Sequence, residues 1–290
     1  MDMNNQDESQ NVEDARTSSG GFRPIHGIGL GTLVIAIVGG WFFGFSPMQV
    51  LNLLSGNSAP SSQTAPDQGV QGPPADDAQA KFVSQVLRST EIVWTAEFKE
   101  RGQTYTEPKL KLFRDSYPTA CGQGEAAAGP FYCSEDRIVY LDLTFFDVMT
   151  RQLGAPGQFA HAYVIGHEVG HHVQNLLGVL GKVNAQRNGL GGAQANALSV
   201  RIELQADCFA GVWAARSQKE QGWRLEAGDI ESALRAASQI GDDTLQRRSR
   251  GAVVPETFTH GTSAQRVAWF QRGVASGQIA DCDTLSAAKL

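Results

Sequence analysis

His167-Glu168-Val169-Gly170-His171 sits inside the apolar run 158–177, QFAHAYVIGHEVGHHVQNLL. Such a run predicts an α-helix that begins shortly after Pro156. On a helix, residues four apart share a face, so both imidazoles can reach one metal ion. Glu168 follows directly and is placed to polarise a metal-bound water as general base. His172 is five residues from His167 and points elsewhere around the helix, so it is expected to pack or to support a ligand. His161, six before His167, is expected to be a non-ligand for the same reason. The bland alternative is a helix with two ordinary histidines, and a third ligand decides between the two.

Catalytic zinc sites usually take three protein ligands and keep a fourth position open. Downstream, residues 201–208 read RIELQADC. Ile202, Phe209, Val212 and Trp213 recur at helical spacing, and Glu203 and Asp207 lie one turn apart. Leu204, Ala206, Cys208 and Ala210 make that helix largely apolar, and a buried acid needs a partner. Glu203 is therefore the expected third ligand. Asp207 is expected to accept a hydrogen bond from the non-metal nitrogen of His167 or His171, which fixes the tautomer. The alternative is a pair of solvated helix charges.

HEVGHHVQ (167–174) followed by ELQADCFAGVW (203–213) resembles the bacterial putative neutral zinc metallopeptidases. More distantly, HExxH with a later ExxxD resembles the gluzincin peptidases, including thermolysin-like and prenyl-protease-like enzymes. The resemblance runs through most of Lys81 to Leu285, including 120–146 and 259–270. It implies a zincin-like domain with His167, His171 and Glu203 on Zn2+, Glu168 as base and Asp207 behind a ligand. A metzincin would need a third His six residues after His171, where this chain has Leu177.

In Thr259-His260-Gly261-Thr262-Ser263-Ala264-Gln265-Arg266, Thr262 and Gln265 fit a capping box, so a helix is expected from Ser263 to about Gly277. His260 then lies just before a helix N-terminus and Arg266 in its first turns. One or both are expected to stabilise the oxyanion of a tetrahedral intermediate. The competing reading makes His260 a loop residue and Arg266 a structural ion-pair partner.

No Lys, Arg, Asp or Glu occurs between Arg23 and Asp67, and 28–45 is almost unbroken apolar sequence ending in Trp41, Phe42, Phe43 and Phe45. About 20 such residues span a bilayer, so one transmembrane helix is expected at 25–46. Arg16 and Arg23 precede it and Lys81 is the first basic residue after it. The positive-inside tendency puts residues 1–24 in the cytoplasm as a short tail. Residues 47–76, rich in Ser, Gln, Pro and Gly, read as a flexible linker, and 77–290 as one metallopeptidase domain. The four cysteines allow a Cys121–Cys133 bridge, with Cys208 and Cys282 as a second candidate pair, which suits the oxidising side of the membrane.

The expected architecture is α+β, mostly helical with a small sheet, behind one N-terminal membrane helix. Helices are expected at 77–99, 144–153, 157–177, 193–217 and 229–240, with strands at 109–115 and 137–143. The strand at 139–143 is the candidate that holds substrate by strand addition. A net charge of -6 with no basic stripe gives no footing for nucleic acid. The whole reads as an inner-membrane, single-pass zinc peptidase with its domain on the periplasmic or extracytoplasmic side, acting on peptides or proteins. The competing classes are a catalytically silent zinc scaffold and a membrane enzyme with a non-peptide substrate.

Overall fold

The computed structural model describes residues 6–16, 72–126, 129–221, 223 and 225–290. In chain order the elements are β1 (Val12–Asp14), α1 (Ala78–Glu100), β2 (Lys109–Leu112), β3 (Ser116–Thr119), β4 (Gly122–Glu125), β5 (Phe131–Cys133) and β6 (Ile138–Leu141). Then follow α2 (Thr144–Arg151), α3 (Gln158–Leu176), α4 (Val179–Arg187), α5 (Gly192–Gln221), α6 (Asp229–Gln239), α7 (Asp242–Arg250) and α8 (Ser263–Ser276). Among the described residues this is a mixed protein with eight α-helices and a small sheet. The expected membrane helix at 25–46 lies outside the described residues. Among the described ones, no helix is long and apolar enough to cross a membrane.

The main sheet runs β1-β2-β6-β5, with β1, β2 and β6 parallel and β5 antiparallel to β6. Leu110, Leu112, Val139 and Leu141 turn into the helical layer, where Val83, Val86 and Leu87 of α1 and Phe159 and Tyr163 of α3 join one apolar core. That burial on a single face is what makes β2 alternate along Lys109-Leu110-Lys111-Leu112. The other face carries a smaller cluster of Phe113, Cys133 and Tyr140 beside the β3–β4 hairpin. Cys121 is bonded to Cys133, tying that hairpin to β5, and Cys208 is bonded to Cys282, tying α5 to the C-terminal turn.

Two strand expectations change. The strand at 139–143, expected to be the substrate edge, is β6, and β6 is interior, with β2 on one side and β5 on the other. The exposed edge beside α3 belongs to β5. Residues 6–16 fall within the expected cytoplasmic tail, yet they pack on the domain: Val12 and Ala15 are buried, and Val12, Glu13 and Asp14 pair in register with Leu110, Lys111 and Leu112. A three-residue acidic strand carries no hydrophobic alternation of its own; its backbone pairs with β2 while Glu13 meets Lys109 and Lys111.

The helix ends follow local chemistry. Asp77 caps α1 by accepting from the amides of Gln79 and Ala80. Thr262 and Gln265 make the full capping box of α8, and Gly277 closes it in the left-handed conformation. At α6, by contrast, the cap is Gly228, and Asp229 is the first helical residue, its carboxylate holding the amide of Glu226. The helix expected from residue 193 starts at Gly192, so the Gly- and Asn-rich stretch before Glu203 is already the first turn of α5. Helices α5 and α8 cross at Gly211 and Gly273. A Cβ on either glycine would collide with the facing backbone at Phe270 or Cys208. This close crossing lays α8 along the stretch of α5 that holds Glu203 and Asp207.

Candidate metal centre

Helices α3 and α5 pack together, and the face of α3 that carries His167 and His171 meets the face of α5 that carries Glu203. Nε2 of His167 lies 3.2 Å from Glu203 Oε2, and Nε2 of His171 lies 3.6 Å from Glu203 Oε1. One donor atom from each of the three residues falls within 4.8 Å of the others. Metal–ligand bonds of about 2.0–2.1 Å in a tetrahedron put neighbouring donors about 3.3 Å apart, so the spacing suits zinc. Two neutral imidazoles and one carboxylate are also the donor types zinc takes with a fourth position left open.

Charge balance points the same way. Burial alone would depress His167, but the carboxylates of Asp207 and Glu203 prevail and its pKa is pushed up to about 10. Glu203 is held well below the usual carboxylate range: burial opposes this, but the charge of His171 and hydrogen bonds from His167 and His171 outweigh it. A site whose carboxylates demand positive charge between buried imidazoles is suited to a cation.

The outer partners are specific. Nδ1 of His167 donates to Asp207 Oδ1 at 2.8 Å, which leaves Nε2 facing Glu203. Nδ1 of His171 pairs instead with Gln174 Oε1 at 2.9 Å, and Gln174 is itself fixed by Ile202 O and Gln205. Asp207 is fully buried and receives Arg266 through Nε at 2.8 Å and Nη2 at 2.9 Å, with the Tyr163 hydroxyl at 2.5 Å. Burial works against that charge, but Arg266 and His167 bring the Asp207 pKa down to about 2.

Of the two readings of Arg266, oxyanion donor or structural ion-pair partner, the contacts seen are those of the ion pair. Its guanidinium is buried behind the ligands, forked on Asp207 and 3.3 Å from the Tyr163 hydroxyl. Sequence reasoning misses Tyr163 and Gln174, although Tyr163 stands four residues before His167 on one helix face, a readable signal.

Glu168 is 7% exposed, and burial raises its pKa above the ordinary value. Among the described residues, nothing donates a hydrogen bond to its carboxylate, so its lone pairs are left for water. His260 borders the same centre: its charge helps to lower the pKa of Glu203. Asp242 fixes it by taking the amides of Thr259, His260 and Gly261 on one oxygen and His260 Nδ1 on the other at 3.1 Å. That carboxylate selects the tautomer or charge state with Nδ1 protonated and turns Nε2 away from Asp242. Asp242 carries no signal in the sequence beyond standing near a helix start.

His172 faces the sheet. Its Nε2 donates to Thr106 O at 2.6 Å and its Nδ1 accepts from Tyr132 at 3.0 Å. Burial holds its pKa down at about 4, so it stays neutral. His161 stacks on Phe146 at 4.2 Å, outside the donor cluster. Beside the centre, Glu203 opens onto a pocket of about 290 Å³ between α4 and α5, walled by Leu180, Val183 and Ile202, with Thr259 and the exposed Arg187 at its edge.

A family model described as putative neutral zinc metallopeptidase matches residues 1–285. The uncharacterized protein YpfJ of Escherichia coli K12 is 48% identical over 285 residues, covering 96% of each chain. The uncharacterized protein Rv2575 of Mycobacterium tuberculosis H37Rv is 46% identical over 195 residues, covering 64% of this chain and 65% of its own. No solved structure matches.

Proposed function

The chain belongs to the putative neutral zinc metallopeptidase family, and from that premise we propose that it is a zinc-dependent endopeptidase acting on peptides or proteins. The observation that carries this reading is the meeting of His167, His171 and Glu203 within 4.8 Å, with Glu168 beside them and, among the described residues, no hydrogen bond drawing on its carboxylate. His167 and His171 through Nε2, with Glu203, would hold the zinc. When bound, the metal supplies Lewis acidity that polarises a scissile carbonyl and lowers the pKa of an attacking water.

The rest of the chemistry belongs to side chains. Glu168, made more basic by burial, takes the proton of the attacking water and passes it to the leaving amine. His260, fixed through Nδ1 by Asp242, donates from Nε2 to the oxygen that gains negative charge. Arg266 and Tyr163 hold Asp207, and with it the His167 ring, in one orientation. The open edge of β5 is the strand that lines up substrate backbone, because Tyr132 ties it to α3 through His172 and Asn175. A substrate side chain enters the pocket walled by Leu180, Val183 and Ile202. The two disulfides support an oxidising, extracytoplasmic setting, and the apolar run at 25–46 would attach the protein to a membrane.

The test is chelator-sensitive cleavage of an unfolded protein by the purified full chain, with Glu168→Gln as control. Cleavage by the parent, lost in a variant that still holds one zinc, supports the reading. Zinc-loaded, folded parent that cleaves nothing across a broad peptide library overturns it in favour of a silent zinc scaffold.

A further inference from the structure

Residues 6–16 do more than touch the domain. Ser9 is buried and its hydroxyl donates to Glu91 at 2.5 Å, while its amide donates to Ser84 O. Asn11 bridges Glu91 and Glu107, and Gln6 accepts from Trp223 Nε1 at 2.9 Å. Glu13 sits between Lys109 at 2.6 Å and Lys111 at 3.0 Å. Arg16 closes the segment: it holds Asp14 and reaches Asp77 Oδ2 at 2.7 Å. Asp77 is the residue that caps α1. Arg16 and Asp77 therefore meet at a single point of the domain, although these two residues are sixty-one apart in sequence.

The apolar run 28–45 lies between those two points. A single crossing there would place Arg16 and Asp77 on opposite faces of a hydrocarbon layer about 30 Å thick. An ion pair at 2.7 Å forbids that separation. A cytoplasmic tail followed by one crossing and an extracytoplasmic domain is thus incompatible with β1 pairing to β2 of its own chain. We infer that residues 6–16 and 72–290 lie on the same side of any membrane this protein meets, and that β1 is a permanent strand of the same chain's domain. It covers the outer edge of β2 and becomes one edge strand of the main sheet, with β5 as the other. This inference stands whether or not the metal centre hydrolyses peptides.

Two measurements on the full chain in intact cells test it. Glu8 and Lys289 are both exposed. Glu8→Cys and Lys289→Cys, made singly, are treated with a membrane-impermeant maleimide before and after the membrane is opened. The expected result is that both residues respond alike, and labelling of only one in intact cells overturns the inference. For the second, Glu13→Cys and Lys111→Cys are combined, since these residues are register partners whose side chains already meet. A site for a specific protease is placed at residue 60. After mild oxidation and cleavage, the two fragments are expected to stay joined until reduced. Free fragments from folded protein, or cross-linked dimers showing that the strand comes from a second copy, overturn it.

Discussion

His167 Nδ1 stands 2.8 Å from Asp207 Oδ1, and that one contact decides which imidazole nitrogen faces Glu203. With Nδ1 as donor, Nε2 carries the lone pair a metal needs. Asp207→Asn keeps the shape but removes the charge and allows the amide to present a donor. The expected outcome is a loss of zinc affinity of about 10–100-fold with the fold retained, read by competition with a chelator. Unchanged affinity would mean that packing alone orients the ring.

Arg266 is buried against the same carboxylate. Removing it leaves the buried Asp207 charge with only the His167 and Tyr163 hydrogen bonds, both on Oδ1, and breaking a buried pair from one side costs about 3–5 kcal/mol. Arg266→Met is therefore expected to lower the melting temperature by roughly 10 °C. Arg266→Lys should restore little, because a single ammonium cannot reproduce the two-pronged contact with both carboxylate oxygens. Thermal melts of the two variants check this, and a full rescue by Lys would contradict it.

For His260 the readout is kinetic. The ring is placed by Asp242 and stands outside the donor cluster. His260→Ala should lower kcat by about 10²–10³ with little change in KM or zinc content, as loss of one oxyanion donor does. Asp242→Asn should move kcat in the same direction by less. Equal effects on KM and kcat/KM, with kcat intact, would place His260 in ground-state binding instead.

Much of this centre is legible in the amino-acid sequence, and the reasons are local. The HExxH spacing fixes two imidazoles on one helix face, Glu203 follows from an acid in an apolar helix, and Thr262 with Gln265 marks a helix start. Which face of that helix meets Asp207 is a matter of tertiary crossing at Gly211 and Gly273, so local pattern leaves both readings of Arg266, oxyanion donor and ion-pair partner, open. Strand order is equally hidden. Nothing in Val139-Tyr140-Leu141 distinguishes an interior strand from an edge one, and the acidic Val12-Glu13-Asp14 becomes a strand only against Lys109 and Lys111.

The Arg16 clasp has a pH signature. Hydrogen bonds from Arg16 lower the Asp14 pKa, and the amide of Ala80, then Arg16, lowers that of Asp77. A carboxylate depressed in the folded state stabilises above its unfolded pKa of about 3.9, and that contribution is lost as pH falls through the folded value. Amide exchange of residues 6–16 is therefore expected to stay slow from neutral pH to about 5 and to accelerate below about 4, relative to α1. Arg16→Gln should remove the difference. Exchange of the segment that tracks α1 at every pH would show that β1 is held by its backbone and buried side chains alone.

Arg187 bears on which peptides are cut. It stands at the edge of the pocket next to Glu203, and among the described residues no acid pairs with it. The walls, Leu180, Val183 and Ile202, suit an aliphatic stem, so the fitting side chain is long, apolar near its root and acidic at its tip. Glu meets that description better than Asp, whose stem is too short to use the walls. An exposed ion pair is worth about 0.2–1 kcal/mol, so the preference for Glu over Gln at that subsite should be modest, about two- to fivefold. Cleavage profiling on a peptide library reads it directly. Arg187→Ala should equalise Glu and Gln while leaving Leu-containing peptides unaffected, and Arg187→Glu should shift the preference to Lys. A profile identical in all three enzymes would remove Arg187 from the binding surface and leave the pocket's selectivity to its other lining residues, apolar and polar alike.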